Sequence, residues 1–308
     1  MYNKQKKGFD MKIKFLGSGS AFVLASENYQ SNILFEKESE ETEFSETNSF
    51  QPADVDGGVI PIGTTTVTRR LLMDAGATIA EALNANGLEP TDIDSIFVSH
   101  LHGDHVHGLE YIGFKTFFIP EFGTHKPKLM GNHKVLDMLW DNVLKGTMGS
   151  INGERTELST YFNAVKIKPR DGFQFMGTEF FTVQVPHVID DLEEVPAYGL
   201  RFKEDDINFF ITGDCRFDFW RLMGQYEAAD VIFHDCEMIT YPNSVHAQFN
   251  ELKEIPAEYK AKMWLYHYML YGKTFEELEA EVIAEGFAGL IKRGQVFDTK
   301  KMKEALND

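Results

Sequence analysis

Hydrophobic and polar positions alternate in short runs along most of the chain, and Gly, Asp and Pro punctuate the runs. MKIKFLGSGS keeps a period of two over residues 12–16 and breaks at the Gly/Ser turn 17–20, which predicts a strand and its exit. SNILFE (31–36) and VTRRLLMDAG (67–76) predict two further strands, the second stopping at Asp74-Ala75-Gly76. TIAEALNANGL (78–88) carries the wider helical spacing and ends at Gly87, and TDIDSIFVSH (91–100) returns to strand and ends at His100. Residues 108–177 read as aromatic strands around one helix, HKVLDMLWDNVL (133–144). Strands FFTVQVPH (180–187), AYGLRFKE (197–204) and INFFITGD (207–214) follow. Then come ADVIFHD (229–235), a helix around EIPAEYKA (254–261), the strand MWLYH (263–267) and the helix TFEELEAEVIAEGF (274–287). Strands and helices alternate at both ends while the centre is strand-rich. The pattern predicts an α+β protein, a mixed sheet sandwich covered by helices, without a doubly wound repeat.

Composition narrows the picture. With 308 residues and 43% hydrophobic content the chain can bury a substantial core, so it is not disordered as a whole. Residues 1–10 are polar and basic and read as a disordered leader; residues 11–308 read as one domain. From about 36 to 58 the chain turns acidic, with Lys37 as its one base, and reads as a surface insertion in a hairpin. Formal net charge is −18, which argues against a long nucleic acid as partner but leaves room for a small anion in a local pocket. No run is long enough to span a membrane, and the start lacks a signal-peptide core. Cys215 and Cys236 make no disulfide framework, which points to a reducing, cytoplasmic setting; both read as small buried residues.

The chemistry concentrates in SHLHGDHVHG, residues 99–108. His100 ends a hydrophobic strand, and His102, Asp104 and His105 follow in a turn. Imidazole and carboxylate are the ligands that borderline divalent metals prefer, and a strand-end turn can aim such groups at two neighbouring ions. His107 falls out of step and reads as an outlying or helix-start residue. His187, Asp214 and His267 each close a later strand. Alone, each would be an ordinary loop residue; together with the first cluster they complete a dinuclear set, with Asp214 best placed to bridge. His234, Asp235, Glu237 and His246 lie between the last two.

The pattern His100-x-His102-x-Asp104-His105, then His187, Asp214 and His267, resembles the metallo-β-lactamase superfamily. Gly17-Ser18-Gly19-Ser20 and Leu72-Met73-Asp74-Ala75-Gly76 strengthen the likeness, which runs from residue 11 to about 298. It implies a four-layer αββα sandwich with the site at one edge. It also implies two divalent ions, zinc or alternatively manganese. One would be held by His100, His102 and His187, the other by Asp104, His105 and His267, with Asp214 shared. The run VIFHDCEM followed by His246 is similar to the ribonuclease Z branch, in which a histidine acts on the leaving group. Asp235 or Glu237 would orient that imidazole. Within the branch, the segments NYQSNILF, LWDNVLKGTMGSI, PAYGLRF, AKMWLYHY and GFAGLIKRGQVF resemble phage anti-Pycsar proteins, phosphodiesterases that open cyclic pyrimidine mononucleotides.

The function implied is metal-dependent hydrolysis of cyclic 3′,5′-nucleoside monophosphates such as cCMP and cUMP. Asp104 would help take a proton from water, His246 would protonate the departing ribose oxygen, and Asp235 would orient His246. Tyr198, Phe114 and Tyr29 are candidates to stack on the base. The resemblance implies a homodimer in the host cytoplasm if phage-encoded, with YIGFKTFFIPEF (111–122) either the pairing patch or core. Loop residues around Met148 and Gly149 would serve as a lid. Three rivals stand beside this reading: an RNA 3′-end nuclease, a lactonase or thioesterase on the same metals, and a non-catalytic nucleotide-binding protein. No long basic arm for gripping RNA separates His105 from His187, and an ester hydrolase would not need His246.

Overall fold

A computed structural model describes residues 10–45, 60–119, 125–168, 171–191 and 193–307. The expected leader 1–10 lies almost wholly outside the described residues, as does much of the acidic insertion. Two seven-stranded sheets form the frame. The first runs, edge to edge, through strands Val296–Asp298, Met11–Gly17, Asn32–Ser45, Ile60–Met73, Ser95–Val98, Lys128–Asn132 and Asn163–Ile167. The second runs through Gly289–Leu290, Met263–Tyr266, Val231–Asp235, Ile207–Ile211, Tyr198–Glu204, Thr178–Gln184 and Gly172–Phe175. Each sheet contributes one face to a shared aromatic core. Phe97 stacks on Phe173, Phe173 on Phe180 and Phe202 on Phe209, while Phe15 and Phe233 meet edge to face. Each fully buried phenylalanine contributes about 1.5–3 kcal/mol relative to leaving it in water. A second apolar cluster, with Ile232, Leu265, Leu222 and Val282, seats the helices Phe219–Ala228 and Phe275–Ala284 on the outside of the second sheet.

Strand direction positions the site. In the first sheet Ile60–Met73, Ser95–Val98, Lys128–Asn132 and Asn163–Ile167 pair in parallel. In the second, Ile207–Ile211, Val231–Asp235, Met263–Tyr266 and Gly289–Leu290 do the same. Parallel strands deliver their carboxyl ends to one edge, and ligands bind in the crevice outside such ends. Asp74, His100, Asp214 and His267 follow the ends of four of these strands, and Asp235 is the last residue of a fifth.

Residues 36–45, the described part of the acidic stretch expected as a surface insertion in a hairpin, continue strand Asn32–Ser45, which pairs with Ile60–Met73 as a long antiparallel ribbon. The acids fit because Arg69 and Arg70 stand on the opposite strand; Arg70 Nε donates to Glu36 at 2.8 Å and Arg69 bonds Glu41. Thr68 and Thr66, opposite Glu38 and Glu40, favour extended backbone. Residues 46–59 lie outside the described residues. The aromatic stretch after His107 is a helix, Gly108–Phe118, rather than a strand. Its buried positions are Gly108, Leu109, Ile112, Gly113 and Thr116, a helical spacing that the abundance of phenylalanine disguised. Met148 is fully buried in the core, which excludes it from a lid.

Candidate metal centre

The turn 99–106 opens the site. Gly103–Val106 forms one helical turn with His102 before it, so Asp104 and His105 project inward together. The turn packs against the strand end at Asp74-Ala75-Gly76 so closely that a Cβ on Gly76 would lie 1.9 Å from the Asp104 carbonyl oxygen. Only glycine permits that approach. Asp74 (φ 65°) and His267 (φ 67°) both occupy the left-handed region, an unfavourable backbone state that concentrates at functional sites. The main chain of His267 is pinned from the first sheet, where the Ser18 carbonyl accepts its N–H at 2.7 Å.

The structure brings all seven sequence-predicted ligands together. His100, His102, His187 and Asp214 form one group, and Asp104, His105, His267 and Asp214 a second, with the ligand atoms of each within 4.8 Å of one another. His105 Nε2 lies 3.1 Å and His267 Nε2 3.2 Å from Asp214 Oδ1, while His100 Nε2 is 3.6 Å from Asp214 Oδ2. Asp214 thus presents one oxygen to each group, as a bridge requires. In three of the rings the other nitrogen is tied down: His105 Nδ1 to Asp74 at 2.7 Å, His187 Nδ1 to the Val245 carbonyl at 2.8 Å, and His100 Nδ1 to Ser99 Oγ at 3.0 Å. Such bonds fix each ring's orientation and leave Nε2 as the free donor.

Whether the residues fit a metal can be judged from the polar atoms themselves. His100 Nε2, His105 Nε2 and both carboxylate oxygens of Asp214 are buried without a hydrogen-bond partner. His187 Nε2 and His102 Nδ1 face each other at 3.1 Å. Buried polar atoms without partners are costly, and a cation between these converging groups would satisfy them. The donor set, imidazole with carboxylate, suits zinc or manganese.

Electrostatics follow from this crowding. Burial, then the neighbouring His105 ring, holds His100 well below the usual imidazole range, and burial lowers His187 to about 4. Burial also opposes charge on His105 and His267, but the carboxylates around them, Asp214 foremost, outweigh it and raise both. Burial works against ionisation of Asp214 and Asp104 too, yet the adjacent imidazoles keep both carboxyls well below their ordinary range. The carboxylates are therefore ionised and able to ligate.

His246 stands beside the cluster. Its ring packs 4.7 Å from that of His267 and 5.2 Å from that of His187, and its side chain is 15% exposed where the ligands Asp214, His187 and His267 are at 1%. Its Nδ1 lies 2.8 Å from Asp235 Oδ2, and Asp235 Oδ1 is 3.3 Å from His267 Nδ1. Burial disfavours its charge, but Asp235 overcomes this and raises the imidazole above its usual range. Asp235 is held in turn by the Cys215 N–H at 2.7 Å. Of the two acids expected to orient His246, Asp235 is the one bonded to it; Glu237 points toward Ile239 and Tyr271. Sequence reasoning gave Asp74 no task, although its two oxygens hold His105, Ser99 N and Ser99 Oγ together. The left-handed turn residue directly after a strand was the available signal. His107 ends the short turn and starts the next helix, apart from the ligands. Cys215 and Cys236 are buried, and burial pushes both thiols well above their ordinary range.

Two stacked sheets, flanking helices and a His/Asp cluster at the strand ends define a metallo-β-lactamase-fold protein. The YhfI metallo-β-lactamase-fold protein of Bacillus subtilis superposes over 94% of this chain and 99% of its own, with a TM-score of 0.64 at 17% identity. Residues 64–297 match the family model described as anti-Pycsar protein Apyc1, and the chain belongs to that family. It is 31% identical to the anti-Pycsar protein Apyc1 of Paenibacillus harenae over 211 residues, covering 68% of this chain and 81% of that one. It is 30% identical to the protein of the same description from Bacillus phage 010DV004, covering 65% and 77%.

Proposed function

We propose that this protein is a dinuclear metal-dependent phosphodiesterase that hydrolyses cyclic 3′,5′-nucleoside monophosphates such as cCMP and cUMP to linear monophosphates. By doing so it would act against cyclic-nucleotide immune signalling, as the description of its relatives suggests. One observation carries the reading: a partly exposed imidazole, His246, is held by a buried carboxylate at 2.8 Å beside the ligand cluster. When bound, two divalent ions, zinc with manganese as the alternative, supply activated water and neutralise charge at phosphorus. Asp104 accepts a proton from the attacking water. Attack forms a P–O bond and breaks the bond to the ribose oxygen, a poor leaving group, and His246 gives that oxygen its proton. Asp235 keeps the imidazole turned and charged. The protein would work as a homodimer in the cytoplasm of the host. Among the described residues no helix is long and apolar enough to cross a membrane.

The leading alternative, an RNA 3′-end nuclease, keeps the same chemistry but meets a chain of net charge −18. A lactonase or thioesterase would leave the Asp235–His246 pair without a task. The test is a panel of 2′,3′- and 3′,5′-cyclic mononucleotides, structured transfer RNA and carbonyl esters, run on metal-replete protein. The reading expects turnover of 3′,5′-cyclic nucleotides without strong competition from transfer RNA. Turnover of carbonyl esters alone would overturn it.

A further inference from the structure

Beyond the ligands, two segments that carry site residues are fastened to each other by one buried side chain. Glu237 lies two residues past Asp235 and is 5% exposed. Its main chain pairs with the segment directly after His246: Glu237 N donates to the Ala247 carbonyl, and Phe249 N donates to the Glu237 carbonyl, each at 2.8 Å. Its carboxylate accepts from Ile239 N at 3.4 Å and from the hydroxyl of Tyr271. Tyr271 lies four residues past His267, in the left-handed region at φ 49°, followed by Gly272 at φ 79°. A bulky residue there strains the backbone, yet the side chain does not bury itself in return: Tyr271 remains 42% exposed. The outcome is an aromatic ring anchored at its hydroxyl end to Glu237, two residues past the carboxylate that holds His246, with much of its surface open. The three rings singled out from the sequence are engaged elsewhere. Tyr198 belongs to the inter-sheet core, Phe114 packs against Phe118 and Tyr161, and Tyr29 lies under the Arg293 guanidinium at 4.8 Å.

We propose that Tyr271 is the platform on which the substrate's base stacks and that Glu237 is its positioning residue; this rests on the cyclic-nucleotide reading above. An aromatic face accepts any base, so the platform contributes affinity for nucleotides as a class. It makes no distinction between pyrimidines and purines. The test measures KM and kcat for cyclic CMP and for methyl p-nitrophenyl phosphate, a phosphodiester with no base, using holoenzyme. Tyr271→Ala should raise KM for cyclic CMP about 10-fold, the lower part of the range for base–aromatic stacking, with kcat within about 3-fold. The base-free substrate should be unaffected. Tyr271→Trp should restore KM, and Glu237→Gln should raise it by a smaller factor with the same indifference toward the base-free substrate. An active wild type with an unchanged Tyr271→Ala KM, or equal losses on both substrates, overturns the platform alone. A wild type inert toward every cyclic nucleotide overturns the parent reading and the platform with it.

Discussion

Replacing His246 by alanine separates leaving-group protonation from every other contribution of the centre. The imidazole makes its 2.8 Å bond to Asp235 through Nδ1, which leaves Nε2 to carry the proton that it would give up. A positioned general acid contributes roughly 10²–10⁴-fold, which corresponds to about 2.7–5.4 kcal/mol of barrier. His246→Ala should therefore lower kcat/KM for a cyclic nucleotide by roughly that factor. On bis-p-nitrophenyl phosphate, whose p-nitrophenolate departs without a proton, the loss should stay under about 10-fold. Asp235→Asn should fall between, because a hydrogen bond to a charged group is worth about 1.5–3 kcal/mol, or roughly 10–150-fold. Asp235 also approaches His267 at 3.3 Å, so bound metal must be measured on the same preparations by elemental analysis. The assay is steady-state kinetics on both substrates with matched metal content. Equal losses on the two substrates would refute the acid role and assign His246 to binding phosphate.

Asp74→Asn should keep the backbone, since asparagine tolerates the left-handed conformation, but weaken the hold on His105; metal affinity, read by chelator competition, should fall roughly 10–100-fold. Unchanged affinity would show that the carboxylate does not support the ligand. His234 is fully buried, and burial lowers its pKa below 6.5. The unfolded chain takes up that proton first, so stability present above about pH 6.5 is lost as pH falls below it. Urea unfolding at pH 8 and pH 5 should show a smaller difference for His234→Asn than for the wild type. The same difference in both would remove His234 as a contributor. Phe233→Ala, which empties a fully buried site between Phe15 and Phe297, should cost about 3–5 kcal/mol in chemical unfolding; a loss below about 1 kcal/mol would mean the inter-sheet core collapses around the gap.

Much of this protein can be read in its linear order because metal ligation is locally encoded. His100, His102, Asp104 and His105 share one turn, and His187, Asp214 and His267 each sit where an apolar run stops, so spacing and strand ends suffice to find them. The two-sheet class follows likewise from period-two runs. Other features depend on which strands lie side by side, and local pattern carries no such information. That residues 36–45 continue a ribbon depends on Arg69 and Arg70 standing across from them. That 108–118 is a helix depends on which face meets the core, since phenylalanine serves strand and helix equally well there. Asp74 supports His105 only because parallel strands bring their ends together, and Tyr271 reaches Glu237 only because two loops leave neighbouring strands at the same edge. Sequence determined which atoms could ligate; the register of the parallel strands decided which groups hold, charge and face them.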